Sequence, residues 1–283
     1  YVNEEFQGVY ELCEQCQINP NRVDISEPAE GYTDTDIGYY LELDHYATSD
    51  EDNHYISMDY ENATVTDING ETRQFVPAEY SIKNDLYSQN QIDFIDKYLN
   101  NLFKIVYEAC ENGKYYKFDE NYDLVDSDVT TAEEAVSNVM DIDSVRDMYI
   151  LYEIVHDYDC GEGSFYMCVD LSKDSKCPKL KFTSPWDFNW AYNDSTEKYY
   201  AGAFTDKNFV AKKGDRSNPW FIVLCKQDWF MATAKEKWTE MSQEKLLQGC
   251  IKTEREYLKE YDADLRKGEE WGPDSAEDLF NWI

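Results

Sequence analysis

Positive charge is scarce in this chain. Its 283 residues include 26 lysines and arginines against 59 aspartates and glutamates, which gives a formal net charge of −33. A charge of this sign repels the phosphate backbone of nucleic acids and the anionic surface of a membrane, so neither is expected as a partner. Basic peptides, metal ions and neutral glycans remain compatible with it.

Long apolar runs and a targeting segment are also missing. No apolar run approaches the roughly 18 residues that a membrane-spanning helix needs. The first residues do not have the pattern of a signal peptide, and Tyr1-Val2 has the pattern of a strand interior. We therefore expect this chain to be a fragment of a longer product.

Cysteine and histidine are sparse. Eight cysteines in 283 residues are too few for a disulfide-stapled fold. Cys13 and Cys16 form a single CxxC motif, and no second CxxC or close histidine pair follows to complete a structural zinc site. Cys160, Cys168 and Cys177 lie near one another in sequence and could hold one bridge.

Residues suited to a hydrophobic core are abundant. Hydrophobic residues make up 42% of the chain and aromatic residues 16%, which excludes a wholly disordered protein. The length suits two small domains or one domain with two lobes. The pattern predicts an α+β protein with a β-rich part at residues 1–87 and a helical part at residues 88–283. The tryptophans, including Trp220, Trp229 and Trp238, are expected in the core or between helices.

Several elements have clear local signals. Residues 38–44 alternate, with Tyr40 and Glu42 on one face and Leu41 and Leu43 on the other, which predicts a strand. Ser88 and Gln91 have the spacing of a capping box, and apolar residues follow at helical spacing up to about Gly113. Helices are also predicted after Thr131, over residues 145–155 and over residues 227–267.

The stretch most informative about function runs from residue 156 to residue 193. A helix ends before an acidic loop that contains Asp157 and Asp159, and an apolar strand at 165–169 follows. A second strand at 180–183 leads into Trp186-Asp187-Phe188. Because a hairpin brings the residues before its first strand close to those after its second, Asp159 and Asp187 are expected to face one site.

Two carboxylates and an amide can hold a hard divalent cation through oxygen. Phosphoryl transfer needs such a cation, together with an aspartate that receives the proton of the substrate hydroxyl. Protein kinases place a loop aspartate, an amide about five residues later and a metal-binding aspartate followed by phenylalanine in this order. In a chain with 59 acidic residues, two acids flanking a hairpin also arise by chance, and this alternative reading stays open.

Four segments in order resemble one family. Residues 184–193, SPWDFNWAYN, resemble the pattern "G-P-x-W-D-F-D-x-A-F-G-N" of the CotH kinase family, named after a spore-coat kinase. Residues 1–14 resemble its "V-N-G-x-Y-x-G-x-Y-x-L-x-E" hairpin, and residues 38–44 its "G-Y-L-L-E-L-D" strand. Residues 155–170 resemble its catalytic loop, and tryptophan-rich segments from 220 to 238 resemble its helical tail.

The resemblance implies an atypical protein-kinase-like fold with a truncated β-rich nucleotide lobe. It also implies transfer of the ATP γ-phosphate to Ser or Thr of a secreted or surface protein, with Mg²⁺ or Mn²⁺. The residues implied are Asp159 with a contribution from Asp157 in catalysis, Asp187 and Asn189 at the metal, and Glu14, Ser164 and Trp186 near the nucleotide.

Three departures from the family pattern favour an alternative. Asn189 stands where the family usually has a second aspartate, and Ser164 where a kinase has its metal-binding asparagine. The segment expected to carry the ATP-binding lysine is not in this sequence. The alternative is a non-catalytic pseudokinase module at the cell surface that binds a protein or a plant polysaccharide. Relatives occur in cellulosome-associated extracellular proteins, some with dockerin modules.

Overall fold

The computed structural model describes residues 15–49, 54–60, 63–66, 72–75, 77–155, 157–161, 163–173, 175–188 and 218–265. Residues 16–234 form one compact unit, and the described residues from Lys235 onward belong to a second. The candidate site lies in the first unit.

The strands are β1 Gly38–Leu43, β2 Tyr55–Met58, β3 Thr64–Thr66, β4 Thr72–Gln74, β5 Ala78–Ile82, β6 Tyr116–Phe118, β7 Leu124–Asp126, β8 Phe165–Asp170 and β9 Lys181–Thr183. Within the described ranges the largest sheet has five strands in the order β2-β5-β1-β8-β9, with antiparallel neighbours. The pairs β3–β4 and β6–β7 form separate hairpins. The predicted hairpin of β8 and β9 is confirmed, and it extends the same sheet as β1.

The alternation predicted for β1 is confirmed by its register with β8. Leu41 lies opposite Met167 and Leu43 opposite Phe165, and all four side chains are buried. On the other face Tyr40 lies opposite Cys168. Because successive side chains of a strand point to opposite faces, these pairs define an apolar face and a face that also carries polar groups.

The helices are α1 Gln89–Tyr107, α2 Ala132–Val139, α3 Ile142–Val155, α4 Phe221–Leu224, α5 Asp228–Gln243 and α6 Leu246–Leu265. The capping box of α1 is confirmed, since Ser88 accepts from the Gln91 backbone and the Gln91 side chain reaches back. Gly113, with φ of +62°, ends the last turn after α1. Lys245, also at positive φ, separates α5 from α6, so the predicted helical region at 227–267 contains a break.

Aromatic side chains fill the space between the apolar face of the sheet and the helices. Trp220 is fully buried, and its indole Nε1–H donates to the Tyr80 hydroxyl at 3.0 Å. Its ring packs edge-on against Phe103 of α1 at 5.3 Å between centroids. A core role is therefore confirmed for Trp220, whereas Trp238 is 45% exposed and is not part of the core.

The α+β class is confirmed by this combination of an antiparallel sheet with helices. The predicted domain boundary near Ser88 falls between β5 and α1, and the five-stranded sheet takes strands from both sides of it. Among the described helices, none is both long and apolar enough to cross a bilayer.

Candidate functional site

The β8–β9 hairpin brings the two ends of the candidate site together. Ser164 directly precedes β8, and Asp187 follows β9 by four residues. The register pairs Tyr166 with Thr183, so both flanks leave the same end of the hairpin. The Ser164 hydroxyl donates a hydrogen bond to the Asp187 carboxylate, with 3.2 Å between Oγ and Oδ2.

The acidic loop before β8 is folded tightly around Asp157. Asp157 is 2% exposed, and its Oδ1 accepts the backbone N–H of Asp159 at 3.0 Å. A short 3₁₀ turn, Tyr158–Gly161, follows, and the backbone N–H of Gly163 donates to the Asp159 carbonyl at 2.9 Å. The buried carboxyl group therefore fixes the backbone of the loop, and Asp159 is left half-buried beside it.

The electrostatics show that three carboxylates share this site. Burial raises the pKa of Asp157 to about 6, and the charges of Asp159 and Asp187 add to the effect. The hydrogen bond from the Asp159 backbone opposes it. The backbone N–H of Asp159 contacts the Asp157 carboxylate, and the Asp187 carboxylate contacts Ser164 at the start of β8. A site of this kind repels further anions unless a cation is present.

The backbone is strained at three points of the site. Ser164, Ser184 and Asp187 have φ of +52°, +52° and +62°, in the left-handed region that L residues rarely adopt. Ser184 accepts a hydrogen bond from the Tyr40 hydroxyl at 2.8 Å, which ties the end of β9 to β1. Strained residues of this kind concentrate at functional sites.

The side chains that flank Asp187 are anchored, whereas Asp187 itself is exposed. Trp186 packs against an apolar cluster of Val23, Ile25, Tyr40, Tyr166 and Cys168. Phe188 packs edge-on against Tyr152 of α3, with 5.5 Å between ring centroids. The two aromatic anchors hold the backbone on both sides of Asp187, so its carboxylate is presented to solvent in a fixed position.

Asn218 is a supporting residue that the sequence analysis missed. It is fully buried, and its Nδ2 donates to the Cys160 carbonyl in the acidic loop at 2.9 Å. Its Oδ1 accepts the backbone N–H of Trp220 at 3.1 Å and of Phe221 at 3.3 Å. The available signal was an asparagine before Pro219 at the start of a helical segment, a pattern typical of an N-cap.

The structure brings together Asp157, Asp159, Ser164 and Asp187 from the predicted set. Trp186 lies next to Asp187 in the chain, but its ring packs into the apolar cluster. Glu14 and Asn189 lie outside the described residues, so their predicted roles stay predictions.

The donor groups present fit Mg²⁺ or Mn²⁺ in chemical type. The exposed Asp187 carboxylate and the Ser164 hydroxyl are hard oxygen ligands. Within the described ranges, no three or more His, Cys, Asp or Glu side chains form a group that could hold a metal ion, so there is no cage built from such side chains. Mg²⁺ seldom uses such a cage, because it is usually held by one or two carboxylates together with water and substrate phosphates. The arrangement thus suits a metal that arrives with a phosphate ligand.

Comparison with known proteins adds no relative: no family model, no curated protein and no solved structure matches this chain.

Proposed function

We propose that this chain is a metal-dependent phosphotransferase of the CotH kinase type, which transfers the ATP γ-phosphate to Ser or Thr of a secreted or surface protein. The observation that carries the proposal is the contact of Ser164 with Asp187 at the open end of a hairpin whose preceding loop holds Asp157 and Asp159. A kinase site has a loop carboxylate, a second metal ligand about five residues later and a metal-binding carboxylate in this order, and here Ser164 stands in place of the kinase amide.

The roles proposed for the acidic residues follow from how exposed each side chain is. Asp159 is half-buried and can reach a substrate hydroxyl, so it accepts the proton as the hydroxyl oxygen attacks the phosphorus. Asp157 is buried and accepts the Asp159 backbone N–H, so it positions the loop. Asp187, with Asn189, would hold Mg²⁺, and Ser164 fixes the rotamer of Asp187. Mg²⁺, when bound, neutralises the phosphate charge that the three carboxylates would otherwise repel.

The second candidate function is a non-catalytic module that keeps this fold and binds a protein or polysaccharide. The observation in its favour is the residue at position 164, where a kinase has an amide side chain. Here the Ser164 hydroxyl donates a hydrogen bond to the Asp187 carboxylate. A serine there is a weaker metal ligand than an amide carbonyl. Under this hypothesis the hairpin is retained for structure, and the protein does not bind ATP.

Titration calorimetry with ATP in the presence of Mg²⁺ or Mn²⁺ distinguishes the two functions. We expect metal-dependent binding by the wild-type protein and its loss in Asp187→Ala. Asp126→Ala removes an exposed carboxylate from the end of β7 and is the matched control, which should bind as the wild type does. The proposed kinase site is excluded if the folded wild-type protein binds ATP with neither metal. It is also excluded if the wild type, Asp187→Ala and Asp126→Ala bind ATP equally well.

A further inference from the structure

Two cysteine thiols meet at the closed end of the β8–β9 hairpin, away from the carboxylates. Cys168 lies within β8, and Cys177 lies in the connection to β9. Their sulfur atoms are 3.9 Å apart. A disulfide requires about 2.05 Å, so the two sulfur atoms are in contact and not bonded.

The backbone at Cys177 is already held in place for this contact. Its carbonyl accepts the Asp170 backbone N–H at 2.8 Å, and its own N–H donates to the Ser175 hydroxyl at 2.9 Å. These bonds join the connection to the end of β8. The distance between the two cysteines is therefore set by the hairpin itself.

The two thiols differ in access. Cys168 is 3% exposed, whereas Cys177 is half-buried and lines a cavity of about 410 Å³. A cavity of that size accommodates a small organic ligand. Its other lining residues include two lysines, two aspartates and a serine, namely Lys176, Lys179, Asp141, Asp143 and Ser137. Such a polar lining suits a peptide better than an apolar ligand.

The electrostatics assign different roles to the two thiols. The hydrogen bond from Cys168 lowers the pKa of Cys177, the charge of Lys181 adds to this effect, and burial opposes it. The pKa of Cys168 is raised by the same contact and by burial. Because the thiolate is the nucleophile in disulfide exchange, Cys177 is the sulfur that reacts first.

We propose that Cys177 and Cys168 form a thiol–disulfide exchange site for a low-molecular-weight peptide disulfide such as oxidised glutathione. The Cys177 thiolate attacks one sulfur of that disulfide and releases one thiolate, which leaves a mixed disulfide. Cys168 then loses its proton to solvent and attacks the Cys177 sulfur, which releases the second thiolate. Two protein thiols are oxidised, and one external disulfide is reduced to two thiols.

Peptide mapping of the native protein after treatment with oxidised glutathione tests the first half of the proposal. Trypsin cleaves after Lys173 and Lys176, so Cys168 and Cys177 fall on separate peptides and a bond between them appears as a linked pair. Because Cys160 lies on the same tryptic peptide as Cys168, fragmentation of that pair locates the bond at one of the two. We expect this pair to form. Modification of the exposed Cys250 by glutathione serves as the control that the reagent is active. If Cys250 is modified while Cys168 and Cys177 remain thiols, the proposal is wrong.

Single variants test the order of reaction. Cys168→Ser should lose the linked pair and accumulate glutathione on Cys177, and Cys168→Ala should do the same if serine disturbs the buried position. Cys177→Ser should leave Cys168 unmodified, because Cys168 is buried. Modification of Cys168 in Cys177→Ser at the wild-type rate would overturn the assignment. None of these readouts depends on ATP binding, so the result stands apart from the proposed kinase function.

Discussion

Three residues of the candidate site have an unusual backbone conformation. Ser164, Ser184 and Asp187 hold positive φ angles that cost about 1 to 3 kcal/mol each in residues of this type. Glycine would relieve that cost at any of them, yet each carries a side-chain oxygen that makes a hydrogen bond. The strain therefore accompanies polar groups that a glycine could not supply.

Replacement of Ser164 by asparagine tests the metal site by a gain of function. Asparagine tolerates positive φ better than most residues, and its amide oxygen is a stronger metal ligand than a serine hydroxyl. If Asp187 holds Mg²⁺, we expect Ser164→Asn to tighten Mg²⁺-dependent ATP binding about tenfold, or about 1.4 kcal/mol. Ser164→Gly suits the backbone and lacks the ligand, so it is the control. Equal affinities for the Asn and Gly variants would contradict a ligand role for this position.

Asp157 makes the stability of the protein depend on pH in a defined direction. Its pKa is raised from 3.8 to about 6, mainly by burial. The stability contributed by its neutral form is complete below the unfolded pKa and is lost as the pH rises through about 6. At neutral pH the wild type therefore carries a buried charge.

Asp157→Asn should remove that penalty. The amide oxygen can still accept the Asp159 backbone N–H, and it does not ionise. We expect the variant to be more stable than wild type by about 1 to 2 kcal/mol near pH 8, less than the full shift because some solvent contact remains. The difference should vanish near pH 4. Urea unfolding across this range measures it, with Asp126→Asn as the exposed control. If the free energy of unfolding changes with pH in the same way for wild type and Asp157→Asn, Asp157 does not have a raised pKa in the folded protein.

At the scale of elements, the start of α1 is fixed by one buried side chain. Gln91 is fully buried and uses both ends of its amide. Its Nε2 donates to the carbonyls of Tyr32 and Asp34 at 3.0 and 2.9 Å, and its Oε1 accepts the backbone N–H groups of Tyr87 and Ser88 at 2.8 and 3.2 Å. The side chain thereby joins the helix start to the segment that precedes β1.

Gln91→Ala should accordingly destabilise the protein far more than an ordinary helix substitution. It leaves buried backbone groups without partners, and we expect a loss of about 2 to 3 kcal/mol in the free energy of unfolding. Gln89→Ala, two residues earlier and exposed, removes only a bond to Asp93 and should cost less than about 0.5 kcal/mol. Similar losses for the two variants in chemical denaturation would contradict the role given to Gln91.

Elements with local signals were predictable, and contacts between distant segments were not. The alternation in β1 and the Ser88–Gln91 capping box depend on neighbouring residues, so the sequence alone was sufficient for them. The hydrogen bond of Tyr40 with Ser184 joins residues 144 positions apart, and that of Asn218 with Cys160 joins residues 58 apart. Nothing in the residues themselves specifies such partners.

The candidate site follows the same division. Asp159 and Asp187 could be placed at one site because a hairpin is a local element, whereas Ser164 was assigned to it by the family resemblance. The pairing of β8 with β1, which makes that hairpin part of the main sheet, could not be inferred, because strand order depends on non-local contacts. The buried state of Asp157 was also missed, since an acidic loop is normally solvated.

At the scale of the whole molecule, charge is the dominant feature. A net charge of −33 on 283 residues repels itself in the folded state more strongly than in the expanded chain. Salt screens this repulsion, with a Debye length of about 10 Å at 0.1 M. We therefore expect the midpoint temperature of thermal unfolding to rise with NaCl concentration. Because the repulsion is spread over the whole surface, no single carboxylate controls this rise.

Mg²⁺ separates this diffuse effect from a specific site. At matched ionic strength, MgCl₂ screens the surface of the wild type and of Asp187→Ala alike, so the shared part cancels when the two are compared. Only the wild type should gain the additional stabilisation of a bound ion, which reaches about 2.7 kcal/mol when Mg²⁺ is at 100 times its dissociation constant. Calorimetric scans of both proteins in NaCl and in MgCl₂, all with ATP so that the phosphate ligand of the metal is present, measure the difference. If MgCl₂ raises both midpoints by the same amount over NaCl, the ion acts on the general negative charge and Asp187 is not a metal ligand, because removal of one charge among 59 acids changes diffuse screening very little.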